Sequence, residues 1–347
     1  MKILKISYHC CIRVIKEAMP LMDRGHQVHC IANKVTQYAD YFSSVGIFHD
    51  PEQLRKLIEL HPDADVIHCH NEPNWFVTAA KEVFPDKPVV LDVHDSMLLR
   101  RSEKEVEEAH DPEIFRHTAD ERNNFQLADG LVFVCPTMRD MVRSEYKLDQ
   151  PFAVIPSALP ARFNRIDFVQ WMGGLVYEGR IDTDKELGKR YSFFQYANYE
   201  PMAKKCREIG MEFHVYTPRK NDKVRDVYEP ICYLHPPLEV THLIKALGSH
   251  DWGMVGNLGN YEEWKYALPN KLFEYFGGCL PVVCLGADES WDMIKDLGMG
   301  IRVESIEELA ERWREHRDCR KNVVKFRAEF TMERHIEKLE NLYKALV

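Results

Sequence analysis

Residues 268–283 read Leu-Pro-Asn-Lys-Leu-Phe-Glu-Tyr-Phe-Gly-Gly-Cys-Leu-Pro-Val-Val. The pattern predicts a short helix with one carboxylate, Glu274, then a Gly-Gly break, then an apolar strand over Pro281–Leu285. Pro269 and Asn270 suit a helix N-terminus. Such an end points free backbone N–H groups and a partial positive charge at whatever lies in front of it, which favours phosphate. Lys271 falls in the first turn, where a cation is mildly unfavourable without an anion nearby. Glu274 sits one turn further on, within reach of a ribose diol. The same residues also suit an ordinary amphipathic helix feeding a buried strand, a common unit of α/β folds.

Outward from this stretch, short apolar runs alternate with longer amphipathic segments. Strands are predicted at Ile3–Ser7, Val28–Ala32, Val66–Cys69, Val89–Val93, Gly130–Val134 and Phe152–Ile155. Helices fall between them at Ile12–Arg24, Pro51–Leu60, Trp75–Phe84 and Thr137–Tyr146, with a charged, mostly helical segment over Arg100–Gln126 interrupted at Pro112. Nearly continuous apolar strands are expected where helices cover both faces of a parallel sheet. The periodicity breaks over Pro156–Phe168, and a second series follows. Its strands are Gly174–Tyr177, Glu212–Tyr216, Ile231–Leu234, Trp252–Val255, Pro281–Leu285 and Gly300–Val303. Thr331–Leu346 reads as one amphipathic helix. The fold class is therefore α/β with two Rossmann-like domains, over residues 1–160 and 161–328, and a terminal helix over 329–347 that is expected to pack back on the first domain.

Composition bounds the function. The 347 residues carry a formal net charge of −9, which disfavours non-specific nucleic-acid binding. No apolar run reaches the length of a membrane span, and Met1–Ser7 is too soon interrupted to be a signal peptide. The expected location is cytoplasmic, with peripheral contact at a membrane left open. The ten cysteines are scattered, mostly in apolar runs, without C-x-x-C or zinc spacing, and read as reduced buried thiols. The residues after Ile6, Ser7-Tyr8-His9-Cys10-Cys11-Ile12-Arg13, contain no glycine, so the dinucleotide fingerprint is absent. No Walker loop is present.

Several polar strand ends remain in order: Asp65-Val66-Ile67-His68-Cys69-His70-Asn71, Val89-Val90-Leu91-Asp92-Val93-His94-Asp95, and Tyr177-Glu178-Gly179-Arg180-Ile181 with Lys185 five residues after Arg180. With Arg24-Gly25-His26-Gln27-Val28 and the helix at Asn270, this series resembles the GT-B glycosyltransferases, in particular the large retaining family 4 of nucleotide-sugar transferases. The likeness runs over nearly the whole chain and is most specific at Gly179–Lys185 and Leu268–Val283.

The resemblance implies an enzyme with two domains facing each other across a cleft. It would move a sugar from a nucleoside diphosphate to a hydroxyl acceptor with retention, and without a metal or a permanently bound cofactor. The acceptor could be a glycan, a lipid-linked sugar, a small molecule or a modified nucleic-acid base. Arg180 and Lys185 would take up the charge that develops on the diphosphate. Glu274 would hold the ribose, with Lys271, Asn270 and Gly179 on the donor side. His94 would touch the donor sugar or reacting centre. Arg13, His70, Glu72 and Asp95 are acceptor-side candidates, although His68, His70 and Glu72 equally suit capping of the following helix. Many family members carry a second Glu eight residues before the matching one; here Tyr266 stands there. Asp182-Thr183-Asp184 looks like the metal motif of another glycosyltransferase fold and reads here as a loop. His68-x-His70 lacks a third ligand at a recognisable spacing. The alternatives are an inverting transferase with His94 or Asp95 as general base, and a protein that binds sugar nucleotide without transfer.

Overall fold

Five-residue strands with no exposed position need cover on both faces, and that requirement organises the chain. Val66–His70, Val89–Val93 and Trp252–Gly256 are buried at every residue. The computed structural model describes residues 1–10, 12–35, 38–71, 75–96, 112–164, 170–183, 197–218, 222–259 and 262–347. Cα packing divides them into one unit of Met1–Pro160 with Met332–Val347 and another of Ala161–Thr331.

The first unit holds a seven-stranded parallel sheet: β1 (Lys2–His9), β2 (Gln27–Lys34), β3 (Ser44–Ile47), β4 (Val66–His70), β5 (Val89–Val93), β6 (Gly130–Phe133) and β7 (Phe152–Val154). Its order is β3-β2-β1-β4-β5-β6-β7. The helices between are α1 (Ile12–Asp23), α2 (Pro51–Glu59), α3 (Phe76–Val83), α4 (Pro112–Leu127) and α5 (Pro136–Tyr146). Starts follow capping chemistry. Asp50 accepts from the Gln53 N–H at 2.8 Å ahead of Pro51, and Pro112 and Pro136 open their helices where a missing N–H costs little.

The second unit repeats the plan with β8 (Leu175–Glu178), β9 (Phe213–Tyr216), β10 (Tyr233–His235), β11 (Trp252–Gly256), β12 (Val282–Leu285) and β13 (Gly300–Arg302), ordered β10-β9-β8-β11-β12-β13. Helices α6 (Glu200–Glu208), α7 (Asp222–Tyr228), α8 (Val240–Leu247), α9 (Glu262–Tyr266), α10 (Asn270–Gly277), α11 (Asp288–Ile294), α12 (Ile306–Glu311) and α13 (His316–Phe326) complete it. Trp252, Tyr177, Tyr199 and Tyr228 centre its core. In each sheet the strand order reverses beside the first strand, so the crevice for a ligand lies at the carboxyl ends of β1 and β4 in one unit and of β8 and β11 in the other.

The expected α/β architecture of two parallel sheets is the one observed. Three local readings need correction. β3 was not expected: Ser44-Val45-Gly46-Ile47 is an edge strand with no buried residue. The strand expected at Ile231–Leu234 starts at Tyr233, because the N–H groups of Ile231 and Cys232 turn back to the Tyr228 carbonyl. Thr331–Leu346 is not one helix. Thr331 is extended and the Met332 N–H is bound to the Leu159 carbonyl at 2.9 Å. A single 3-10 turn, Met332–Arg334, therefore precedes α14 (Ile336–Leu346).

α14 packs in the first unit. Glu340 accepts from Arg24 Nε at 2.8 Å and lies 2.7 Å from His26 Nε2, which explains the Arg-Gly-His turn between α1 and β2. A Cβ on Gly130 would stand 2.8 Å from the Leu346 side chain, so the helix lies directly on the start of β6. None of the nine described cysteines is in a disulfide. Among the described residues no helix is long and apolar enough to cross a membrane.

Candidate active site

In the second unit, the turn after β8 and the first turn of α10 meet. Gly179 has φ +135°, a conformation side chains rarely adopt, and a Cβ there would stand 3.4 Å from Lys271 Nζ. Its N–H is held by the Tyr216 carbonyl at 2.9 Å. The Lys271 ammonium lies 5.0 Å from the Tyr177 ring centroid and 5.5 Å from that of Trp264. Two aromatic faces thus hold a cation that the helix dipole alone would repel. Pro269 precedes the helix without a side-chain cap. Glu274, one turn on, is 4% exposed. Gly253 in β11 has no room for a Cβ, which would lie 2.7 Å from the Tyr275 ring, so α10 rests on the sheet itself. The Tyr275 hydroxyl donates to the Met254 carbonyl at 3.1 Å and receives the Glu178 N–H at 3.2 Å, fixing helix to strand.

Arg180 follows directly. Its Nε donates to Asp182 Oδ2 at 2.7 Å, and its carbonyl accepts from the Tyr177 hydroxyl at 3.0 Å. Asp182 is buried, and its own carbonyl accepts from Tyr228 Oη at 2.8 Å. A residue read from sequence as part of a loop therefore orients the guanidinium. Lys185 and Asp184 lie outside the described residues, as does Glu72 in the first unit.

In the first unit, His94 and Asp95 follow β5. The Asn71 side chain joins the ends of β4 and β5, accepting from the His94 N–H at 3.1 Å and donating to the Asp95 carbonyl. His94 Nδ1 stands 3.9 Å from Asp92 Oδ1 and is partly exposed. Beneath these residues lies a closed polar cluster. Arg13 donates to Asp92 through Nε at 2.7 Å and Nη2 at 2.9 Å, and to Ser157 Oγ at 3.1 Å. Lys5 Nζ donates to Glu17 Oε2 at 2.6 Å and lies 3.3 Å from His68 Nδ1 and 3.2 Å from His70 Nε2. The two imidazoles, two residues apart on one face of β4, stack with centroids 4.6 Å apart. The Tyr343 hydroxyl of α14 reaches His68 Nδ1.

Burial decides the protonation states here. It pushes the Glu17 carboxyl up to about 7, against the pull of Lys5 and Arg13. Burial, with Lys5 beside it, pulls His70 down to about 3 and His68 well below the usual imidazole range. Burial alone would raise Asp92; Arg13 and His70 overcome it and hold the carboxyl well below the ordinary value. Arg13 and His70, expected on the acceptor side, are 2% and 1% exposed, and their polar atoms face other protein groups. Their geometry corrects that expectation: they support the strand ends that carry His94 and Asp95.

Sequence reading missed Glu17 and Asp92, which join His68 and His70 in a set whose ligand atoms all lie within 4.8 Å of one another. The Lys5 ammonium stands among them, so the set already holds a cation. The available signal was a charge in an apolar frame, Lys5 in Ile-Leu-Lys-Ile and Lys16-Glu17 in α1.

Residues 14–161 match the model of Glycosyltransferase Family 4. No curated protein sequence matches significantly. Among solved structures, sucrose-phosphate synthase from Thermosynechococcus elongatus is similar with a TM-score of 0.74 at 13% identity, covering 100% of this chain and 99% of that one. Anabaena Alr3699/HepE in complex with UDP-glucose gives 0.70 at 9% identity, covering 100% and 99%. An alpha-glucosyltransferase in complex with UDP-glucose and DNA containing an abasic site gives 0.66 at 11%, covering 99% of each. Two doubly wound parallel sheets and these whole-length likenesses agree: the chain has the fold of the GT-B glycosyltransferases, and its first domain matches Glycosyltransferase Family 4.

Proposed function

We propose that the protein transfers a sugar from a nucleoside-diphosphate sugar to a hydroxyl acceptor, with retention and without a metal ion. The observation that carries this reading is the grouping at the carboxyl end of β8: Arg180 oriented by buried Asp182, Lys271 held beside Gly179, and Glu274 one turn along the same helix. Cations fixed before the reaction cost no reorganisation when charge builds on the leaving diphosphate. Arg offers a planar fork and Lys a point charge, which suits two phosphates. Lys185 would add a second cation near Arg180. Glu274 would accept from the ribose hydroxyls. The bond from the anomeric carbon to the phosphate oxygen breaks, a bond to the acceptor oxygen forms on the same face, and the acceptor proton passes to an oxygen of the departing diphosphate.

The inverting alternative needs a general base. Asp92 Oδ1 lies 3.9 Å from His94 Nδ1 and the carboxylate is already held by the Arg13 fork, which counts against a His94–Asp92 dyad. Two of the similar structures are complexes with UDP-glucose, so a uridine diphosphate sugar is the first donor to test. A thermal-shift panel of nucleoside diphosphates and their sugars, followed by donor turnover with and without acceptor, tests the proposal. A tight ligand raises the melting temperature. No shift with any nucleoside diphosphate, or binding without turnover under all acceptors, would sink it.

A further inference from the structure

At the amino ends of β8 and β11, opposite the sheet edge that carries Gly179, lies a depression of about 490 Å³. It is lined by Trp171, Asp251, Arg314, His316, Arg317 and Arg320. Ligand pockets commonly have this size. Trp171 is 54% exposed, yet its ring is pinned, with the Arg320 guanidinium carbon 4.7 Å from its centroid. Arg320 is itself fixed, donating to the carbonyls of Gly248 at 3.2 Å, Cys279 at 3.0 Å and His250. The charges around the ring do not cancel. Asp251 is engaged on both oxygens, accepting from the Gly174 N–H at 3.0 Å and facing His316 Nε2 at 3.3 Å. The carboxylates next to the arginines are occupied too: Glu315 by Arg312 at 2.8 Å and Asp318 by Lys321 at 2.7 Å. Arg314 and Arg317 are exposed and pair with no carboxylate among the described residues. In a chain of net charge −9, two uncompensated guanidinium groups beside an immobilised indole form a local anion site with an aromatic wall.

We propose that this depression binds a small saccharide bearing a phosphate or a carboxylate. The sugar ring lies on Trp171, and the anion is taken by the forks of Arg314 and Arg317. The site is separate from the donor residues, which lie at the other ends of the same strands. The choice of a sugar as the ring rests on the transfer reading; the anion does not.

The test is calorimetry on the full chain with glucose 6-phosphate and with glucuronate, against glucose, inorganic phosphate and UDP. At least one anionic sugar is expected to bind about tenfold or more tighter than glucose and phosphate, as one charge-assisted hydrogen bond would give. The better of the two identifies the anion. Trp171→Ala, and separately the double change Arg314→Ala with Arg317→Ala, should each lose at least about that factor while UDP affinity is kept. The proposal fails if neither sugar binds, if binding matches that of phosphate alone, if it survives Trp171→Ala, or if UDP displaces the sugar. Failure of UDP itself to bind the unaltered chain would instead count against the transfer reading, and the anionic sugars would still decide this one.

Discussion

Asp182 holds Arg180 in place: the carboxylate is 2% exposed and accepts from Nε at 2.7 Å, while the guanidinium side chain remains 37% exposed. The buried partner is fixed, and the exposed one presents its guanidinium at the surface of the site. Arg180→Ala should lower turnover by about a hundredfold or more, the loss typical of a donor aimed at developing charge. Lys185→Ala should act likewise. Asp182→Asn keeps the shape and weakens the hold, so it should lower kcat more than it raises KM. The melting temperature of Arg180→Ala should stay near that of the unaltered chain. Donor turnover by Arg180→Ala at the unaltered rate would refute the diphosphate assignment.

Fixed cations should also make a metal dispensable. Activity is expected to persist in EDTA, measured as nucleoside diphosphate released. Loss in chelator that manganese or magnesium restores would turn attention to Asp182 and Asp184 as ligands.

Glu274 and the nucleotide can be tested as a pair. Glu274→Gln keeps size and weakens two charge-assisted acceptors, each contributing roughly 1.5–3 kcal/mol. A 2′,3′-dideoxy donor removes the partners instead. Calorimetry of both donors on both proteins closes a double-mutant cycle, and a coupling near zero would mean that Glu274 does not meet the ribose.

Acid should weaken the second unit. His214 Nδ1 lies 3.0 Å from His235 Nε2, and the His214 ring packs 4.5 Å from that of His250. Burial first, then the neighbouring imidazoles, pulls His214 down from 6.5 to about 3. Burial pulls His250 down to about 4. The unfolded chain therefore binds more protons than the folded one below pH 6.5, and stability is lost progressively as pH falls from there towards about 4. Urea midpoints should drop over that window and drop less in His214→Leu. A flat profile would contradict the burial of these rings.

Lys5 makes the fifth case. Lys5→Ala leaves Glu17 and Asp92 with one buried cation fewer, and should destabilise the chain by about 3–5 kcal/mol. It also frees the space among Glu17, His68, His70 and Asp92. Zinc should then raise the melting temperature of Lys5→Ala and leave that of the unaltered chain unchanged. Equal responses would show that the ammonium does not fill the position a metal would take.

The sheets were legible because their strands are continuous apolar runs, and the turn at Gly179 and helix at Asn270 because glycine, proline and single charges mark them. β3 was not: Ser44-Val45-Gly46-Ile47 offers two separated apolar residues and lies at an edge, where burial imposes little on sequence. The polar cluster was half legible. Lys5, His68 and His70 sit visibly in apolar frames, but their partners lie 12 and 63 or more residues away in sequence, and only the winding of the sheet brings them together. The role of Asp182 was hidden for the opposite reason. Only Ile181 separates it from Arg180, a spacing so ordinary in a loop that no pattern distinguishes an orienting carboxylate from a solvated one.

The clasp of Arg24 and His26 on Glu340 fixes the order in which the chain can be completed. The first unit takes its last helix from residues that follow the whole of the second, so during synthesis its sheet stands without α14 while Ala161–Thr331 is being made. The surface that Tyr343 and Leu346 will cover stays open until residues 336–346 have been made. The second unit is in effect an insertion within the first, complete before its host. A chain cut short before Ile336 would carry one finished domain and one unsealed, and the unsealed one is the candidate for chaperone capture or proteolysis.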